Sequence, residues 1–140
     1  MFSRIIDKWL TYREYARRRH IVNTKHTDVE RWRNTQNYQD HWTRRMSSAL
    51  SLRGDAEWVC DLGCGSQKMR NLLPKNIAYL PMDIVKWTND TCVCEINQKI
   101  LSNEYLAVCD LCYLLGVLEY IYEPSWLFDV LAVNVETVVL

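Results

Sequence analysis

A short segment in which an apolar run meets an acid and two glycines could bring backbone N–H groups against a ligand. Residues 58–60 are apolar, Asp61 follows, and Gly63 and Gly65 form a Gly-x-Gly turn. Glycine adopts the positive φ that other residues resist, and a helix that begins near Ser66 would direct its first N–H groups at a bound group. A carboxylate beside such a turn can accept hydrogen bonds from hydroxyls or face a positive charge. The pattern predicts a binding site where the first strand ends.

A second acid stands where the next parallel strand is expected to end. Residues 76–82 have the composition of a strand, and Asp83 follows them, 18 positions after Gly65. A carboxylate at this place can accept hydrogen bonds from both hydroxyls of a ribose. A helix cap or a turn is the alternative role for an aspartate at a strand end. Because Pro81 cannot donate to a strand ladder, we expect a bulge near the end of this strand.

Two more strands are predicted further along the chain. Residues 91–94 form the first, and Glu95, Ile96 and Asn97 follow it. Residues 106–115 form the second, whose apolar character is typical of a strand covered on both faces. A solvated turn at Glu95 and a plain core role for residues 115–116 are the alternatives to a binding role. A helix over residues 125–132 and a fifth strand over 134–140 complete the pattern.

These elements together resemble the nucleotide-binding half of the class I S-adenosylmethionine-dependent methyltransferases. The resemblance covers roughly residues 58–140 and implies an α/β fold, Rossmann-like and doubly wound, with a mainly parallel sheet of about five strands in the order 3-2-1-4-5. The sequence departs from the family at Gln67, where a third glycine is usual. The dinucleotide fingerprint is less favoured, because Lys68 stands where its third glycine belongs. A strand-turn-helix unit without any nucleotide remains open.

The resemblance implies that S-adenosylmethionine is the cofactor and that S-adenosylhomocysteine is the product. It assigns the ribose hydroxyls to Asp83, and the adenine to Glu95 and Ile96. The methionine part then lies beside Leu115 and Gly116. The predicted cofactor-binding residues are Asp61, Gly63, Cys64, Gly65, Asp83, Ile84, Glu95, Ile96, Leu115 and Gly116. No catalytic residue is predicted, because an activated methyl donor mainly requires alignment of the acceptor.

The function implied is methyl transfer to a small-molecule or sugar acceptor. The alternative is a non-catalytic or degenerate domain that keeps the fold as a binding or interaction module. The family's complete sheet has seven strands in the order 3-2-1-4-5-7-6, whereas this sequence stops after the fifth. We therefore expect a truncated domain, or an edge strand that pairs with a partner, as in a homodimer. The activity of the 140 residues alone is left open.

Charge divides the chain into two parts. Residues 1–53 carry 12 Lys and Arg against 5 Asp and Glu, and residues 54–140 carry the reverse, 5 against 12. We predict a basic helical N-terminal extension over 1–53 and a Rossmann-like S-adenosylmethionine-binding domain over 54–140. Within the extension, Arg17–Arg19 should close a first helix and Asp28 should cap a second. Nucleic-acid binding is possible for such a basic arm, but docking on its own domain is favoured.

A third helix is predicted over residues 37–52. By the resemblance, its Tyr38, His41 and Trp42 either face the ligand or anchor the helix in the core.

Composition excludes several other classes. The sequence has no run of 18 apolar residues and no apolar N-terminal stretch, so neither a membrane span nor a secretory signal is expected, and the predicted location is cytoplasmic. All six cysteines lie between Cys60 and Cys112. Cys109 and Cys112 stand three apart in the predicted fourth strand and should point to opposite faces, so no metal site is predicted.

Overall fold

The chain forms a parallel five-stranded sheet in a computed structural model that describes residue 12, residues 15–34 and residues 42–140. The strands are β1 (Trp58–Leu62), β2 (Ala78–Asp83), β3 (Cys92–Val93), β4 (Leu111–Tyr113) and β5 (Thr137–Val139). Their order is β3-β2-β1-β4-β5, and every pair is parallel. The predicted Rossmann-like α/β sheet and its strand order are therefore confirmed.

Short helices flank the sheet. They are α1 (15–24), α2 (Val29–Arg33), α3 (Trp42–Leu50), α4 (Asn103–Ala107) and α5 (Pro124–Asn134), with single 3₁₀ turns at Lys68–Asn71, Ile96–Gln98 and Leu118–Tyr120. In the part of the chain that the structure describes, no helix has the length and apolar character needed to cross a bilayer.

Alternation along the strands gives the sheet two buried faces. In β1, Cys60 and Leu62 join one core cluster, while Val59 joins the other. Helices α4 and α5 cover the first face through Leu106, Leu127 and Leu131, which are at most 1% exposed. On the second face Ala49 of α3 and Met69 pack against β1 and β4. A sheet buried on both faces explains why its strands are apolar without strict alternation.

The fourth strand is shorter than predicted. Residues 103–107 form helix α4, because the Ser102 side chain accepts from the backbone N–H of Tyr105 and caps the helix. The strand begins only at Leu111. The apolar run from Leu106 thus crosses from a buried helix into a buried strand, and composition does not separate the two.

This difference also corrects the expectation for the cysteines. Cys109 lies in the turn before β4 and packs in the same core cluster as Cys60 and Cys112, so the predicted opposite orientation is wrong. Hydrogen bonding with Cys109 and then Cys112, together with burial, raises the pKa of the Cys60 thiol. Among the described residues no group of three or more His, Cys, Asp or Glu is arranged to hold a metal ion.

The bulge expected at Pro81 is absent. The register of β2 with β1 is continuous from Ala78 to Met82, and both of these residues bond toward β1 through their backbone. The backbone nitrogen of Pro81, which has no hydrogen, therefore faces the side of β3. On that side the pairing of β2 starts only at Met82. The proline costs no ladder hydrogen bond, and no bulge is needed.

One predicted helix and one helix boundary also differ from expectation. No α-helix follows the glycine turn at Ser66; a 3₁₀ turn over Lys68–Asn71 takes its place. In the N-terminal part, helix α1 continues past Arg19 to residue 24. Asp28 does cap α2, since its carboxylate accepts from the N–H of Arg31 at 3.2 Å. Of the third predicted helix, Tyr38 and His41 lie outside the described residues, and so does the side chain of Trp42, where α3 begins.

Candidate functional site

The glycine turn and the second acid meet at the carboxyl edge of the sheet. The backbone N–H of Gly65 donates to Oδ2 of Asp83 at 2.8 Å, and the N–H of Val85 donates to Oδ1 at 2.9 Å. Asp83 is only 6% exposed, and desolvation raises its pKa, against the opposing effect of the hydrogen bonds from Val85 and Gly65. The structure therefore brings Gly65 and Asp83, two of the predicted cofactor-binding residues, into direct contact.

Both glycines of the turn have a backbone that only glycine adopts readily. Gly63 has φ +83° and Gly65 has φ +51°. A Cβ at Gly63 would lie 2.2 Å from Cγ2 of Val117, on the loop that follows β4. Gly63 thus lets the loops after β1 and β4 approach each other directly.

Gln67 occupies the position of the family's third glycine and adopts a left-handed backbone, with φ 58° and ψ 35°. Its buried side chain compensates for this conformation with hydrogen bonds. The amide nitrogen donates to Thr88 Oγ1 at 2.8 Å and to Thr91 Oγ1 at 2.9 Å, and the amide oxygen accepts from Arg70 Nε at 3.0 Å. Gln67 therefore fastens the glycine turn to the connection between β2 and β3. No pattern in the amino-acid sequence indicated this role for Gln67.

Asp61 lies apart from this arrangement. Its Oδ2 accepts from the Tyr79 hydroxyl at 2.6 Å, on the sheet face of Val59 and Tyr113. The carboxyl is 4% exposed, and desolvation raises its pKa to about 6, although the Tyr79 hydrogen bond lowers it. Asp61 does not line the cavity described next; the other nine predicted cofactor-binding residues do.

A cavity of about 900 Å³, part of it open to solvent, lies beyond the carboxyl ends of the strands. We call it the main cavity. The turn after β1 contributes Gly63, Cys64, Gly65, Ser66 and Lys68; the end of β2 and the loop after β3 contribute Asp83, Ile84, Cys94, Glu95, Ile96 and Asn97; the loop after β4 contributes Leu115, Gly116, Val117, Tyr120 and Ile121. This is the switch point of the strand order, where open α/β sheets bind their ligands.

The N-terminal helices cover part of the main cavity at the carboxyl ends of the strands. Its lining includes Thr27 and Trp32 from the α1–α2 region and Arg45 and Met46 from α3. The guanidinium of Arg45 lies over Gly116, where an added Cβ would meet its nitrogen at 2.6 Å. The described lining therefore includes two cationic residues, Arg45 and Lys68, together with the carboxyl groups of Asp83 and Glu95.

Side-chain hydrogen bonds tie this N-terminal cover to the loops of the sheet. Oε1 of Glu95 accepts from Thr27 Oγ1 at 2.8 Å and from the N–H of Asn97 at 3.1 Å. The amide nitrogen of Asn97 donates to Thr27 Oγ1 at 3.0 Å and to the carbonyl of Tyr120 at 2.9 Å. In this structure Glu95, which was predicted to accept from adenine, holds the N-terminal cover in place.

Several lining residues were missed by sequence reasoning. These residues are Thr27, Trp32, Arg45 and Asn97. The contact between Thr27 and Asn97 joins residues that are 70 positions apart in sequence. Trp42, Met46 and Ala49 recur at helical spacing in the predicted third helix, and this apolar stripe is a signal that could have placed the helix over the cavity.

Comparisons with protein-family models, with curated proteins and with solved structures found no match. The interpretation of the site therefore depends on the residues and geometry of this chain.

Proposed function

We propose that the chain is an S-adenosylmethionine-dependent methyltransferase domain that acts on a small-molecule or sugar acceptor. The observation that carries the proposal is the contact between Gly65 and Asp83 at the switch point of the sheet. Both residues line one cavity with Glu95 and Ile96 on one side and Gly116 on the other. An adenosyl group needs this combination of bare backbone, carboxylate and apolar cover.

The residues present fit the cofactor. Asp83 would accept from the ribose hydroxyls, since a carboxylate offers about four acceptor sites and the backbone N–H groups of Gly65 and Val85 use two. Ile84 and Ile96 would cover the adenine. Gly63 and Gly116, which both have positive φ, would present backbone without side chains to the methionine part.

When bound, the cofactor would supply a methyl group activated by a positively charged sulfur, which an acceptor lone pair would displace while sulfur keeps the electron pair of the broken bond. The protein contributes alignment and exclusion of water. Cover by Trp32 and Met46, together with the apolar walls of the cavity, serves that exclusion.

One observation favours the second candidate, a non-catalytic module of the same fold. The Asp83 carboxylate already accepts from two backbone N–H groups, and Trp87 and the backbone of Ile84 also act on its pKa. In that case Asp83 only clamps the glycine turn, and the domain would not bind the cofactor.

Calorimetry separates the two functions. S-adenosylmethionine and S-adenosylhomocysteine are titrated into the full chain, with NAD as a third ligand. We expect both adenosyl ligands to bind and Asp83→Asn to weaken them at least about tenfold, the effect of losing hydrogen bonds to a charged acceptor.

The matched control is Asp90→Asn, because Asp90 is an exposed aspartate bonded to Arg70 and Thr88 outside the main cavity. It should leave affinity unchanged. A folded sample that binds neither adenosyl ligand contradicts the proposal, and tighter binding of NAD would indicate an oxidoreductase instead.

A further inference from the structure

A buried glutamine stands beside the main cavity without lining it. Gln67 is 5% exposed, while Gly65, Ser66 and Lys68, its neighbours in the glycine turn, all contribute to the cavity lining. The side chain of Gln67 can therefore affect a ligand in the main cavity through these neighbours and not by touching it.

The amide group of Gln67 uses both of its N–H groups and its oxygen. The nitrogen donates to Oγ1 of Thr88 at 2.8 Å and to Oγ1 of Thr91 at 2.9 Å, and the oxygen accepts from Nε of Arg70 at 3.0 Å. Because arginine donates and never accepts, the Arg70 contact fixes which end of the amide faces the threonines. Thr91 is itself buried, at 4% exposure. Gln67 thus joins the glycine turn to the β2–β3 connection in one defined orientation.

The same two segments also meet at the main cavity. Gly65 stands two positions before Gln67, and its N–H donates to Oδ2 of Asp83 at 2.8 Å. The N–H of Val85, in the β2–β3 connection, donates to Oδ1 of Asp83 at 2.9 Å. The Gln67 hydrogen bonds therefore hold together the two segments whose separation sets the Gly65–Asp83 contact.

The backbone of Gln67 makes its side chain easy to test. Its φ of 58° and ψ of 35° are left-handed, a conformation that a residue with a Cβ resists and glycine adopts readily. Substitution by glycine therefore removes the hydrogen bonds of the side chain while it suits the backbone of the turn.

We propose that Gln67 is a positioning residue of the cofactor site. Its bonds to Thr88 and Thr91 hold the glycine turn against the β2–β3 connection, so that the N–H of Gly65 and the carboxylate of Asp83 are in place before an adenosyl ligand binds. This inference rests on the proposed methyltransferase function. Such preorganisation strengthens binding, because the ligand does not have to order the turn itself.

Amide hydrogen exchange, measured by NMR on the full chain without ligand, tests the positioning. In Gln67→Gly we expect the Gly65 amide to exchange at least about tenfold faster, because lost hydrogen bonds favour local opening of the turn. Amides in the middle of β1 and β4 should keep their rates, since they report on the sheet. Calorimetry with S-adenosylhomocysteine should then show a dissociation constant raised about tenfold.

Thr91→Val is a second variant that reaches the same link from the other side. It removes one acceptor of the Gln67 amide and should change the Gly65 exchange rate and the affinity in the same direction as Gln67→Gly. In the double variant the second change should add little, because the two side chains act through one link.

Lys99→Gly is the matched control. Lys99 also has a left-handed backbone, with φ 59° and ψ 28°, but its side chain pairs with Glu123 and does not line the main cavity. Exchange at Gly65 and affinity for S-adenosylhomocysteine should both stay as in the unaltered chain.

Unchanged exchange at Gly65 in Gln67→Gly overturns the proposal, and so does an equal change in Lys99→Gly. If Gln67→Gly does not fold, Thr91→Val decides by the same criterion. Faster exchange with unchanged affinity refutes the positioning role and leaves the methyltransferase function standing. Failure of the unaltered chain to bind S-adenosylhomocysteine refutes the function and the positioning role together.

Discussion

Asp61 and Asp83 stand near the ends of neighbouring strands, yet their surroundings separate their roles. Asp83 lines the main cavity and bonds to the backbone of Gly65. Asp61 is enclosed by the second core cluster and bonds to Tyr79. From their positions in the sequence, both aspartates were predicted to bind the cofactor. The two side chains differ in whether they lie at the cavity or inside the core. Because Asp61 is buried in the core, we expect it to affect stability and not ligand binding.

Stability should fall as pH rises through the range in which Asp61 loses its proton. Burial raises its pKa from 3.8 to about 6, so between these values the folded state holds a proton that the unfolded state has lost. The effect is complete above pH 6 and amounts to at most about 3 kcal/mol. Asp83 acts in the same direction, because its pKa is also raised.

Urea unfolding from about pH 4 to about pH 8 measures this dependence, and Asp61→Asn should make it flatter. The slope, not the absolute stability, is the readout, because a buried amide brings a cost of its own. Asp90→Asn is the control: hydrogen bonds from Thr88 and Arg70 lower the pKa of exposed Asp90, so its removal should not change the slope in this range. An unchanged slope in Asp61→Asn would contradict the assignment.

At the scale of elements, the glycine turn after β1 is followed by a 3₁₀ turn at the place where an α-helix was predicted. The glycines and Gln67 all have left-handed backbones, and only a 3₁₀ turn follows. The site is therefore held by contacts between loops: Gly63 against Val117 and Gln67 against Thr88 and Thr91.

Gly63→Ala should lower the free energy of unfolding by about 2–4 kcal/mol, because left-handed strain adds to a clash with Val117. Gly54→Ala is the matched control, since Gly54 also has positive φ, +58°, but has no atom within 4 Å of an added Cβ. It should cost only about 1 kcal/mol. Chemical denaturation measures both.

The double variant Gly63→Ala with Val117→Ala tests the clash itself. Shortening Val117 makes room for the added methyl group, so we expect part of the lost stability to return. Equal losses in Gly63→Ala and Gly54→Ala, with no recovery in the double variant, would show that the close approach of the two loops is not important.

At the scale of the whole molecule, the described N-terminal helices contribute to the lining of the main cavity. The Gln98 side chain donates to the carbonyl of Lys25 at 2.6 Å, and Asn97 bonds to Thr27. Trp32 packs on Tyr120. This docking forms the main cavity, because its described lining comes partly from the N-terminal helices and partly from the sheet loops.

Asn97→Ala should loosen this docking with little change to the sheet. Asn97 also accepts from the N–H of Tyr122 at 2.6 Å, so the variant leaves several polar groups without their partner and should cost about 1–3 kcal/mol. Trypsin should then cut more rapidly at Lys25, Arg31 and Arg33.

Asn134→Ala is the control, because Asn134 makes one hydrogen bond within its own helix, to the carbonyl of Val130. Its cleavage rate should match that of the unaltered chain. Equal rates in the two variants would show that Asn97 does not hold the N-terminal cover.

Apolar runs and glycine turns in the sequence by itself indicated the strands, because these are local signals. The strand order came from the resemblance to a known family, and the carboxyl ends of parallel strands lie at one edge of a sheet, where Gly65 and Asp83 meet. These signals did not predict where one element ends and the next begins inside an apolar run. Leu106 lies in a helix and not in the predicted strand, because buried helices and buried strands use the same apolar residues.

Only the tertiary structure decided which distant residues complete the site. Thr27 reaches Glu95 across 68 positions, Asp61 turns to Tyr79, and Cys109 joins Cys60 in the core. Such contacts depend on how helices pack over the strand ends and on which face a side chain lies. Periodicity and turn residues indicate the conformation of a segment but not the segment it packs against. These contacts therefore cannot be predicted from the local sequence pattern.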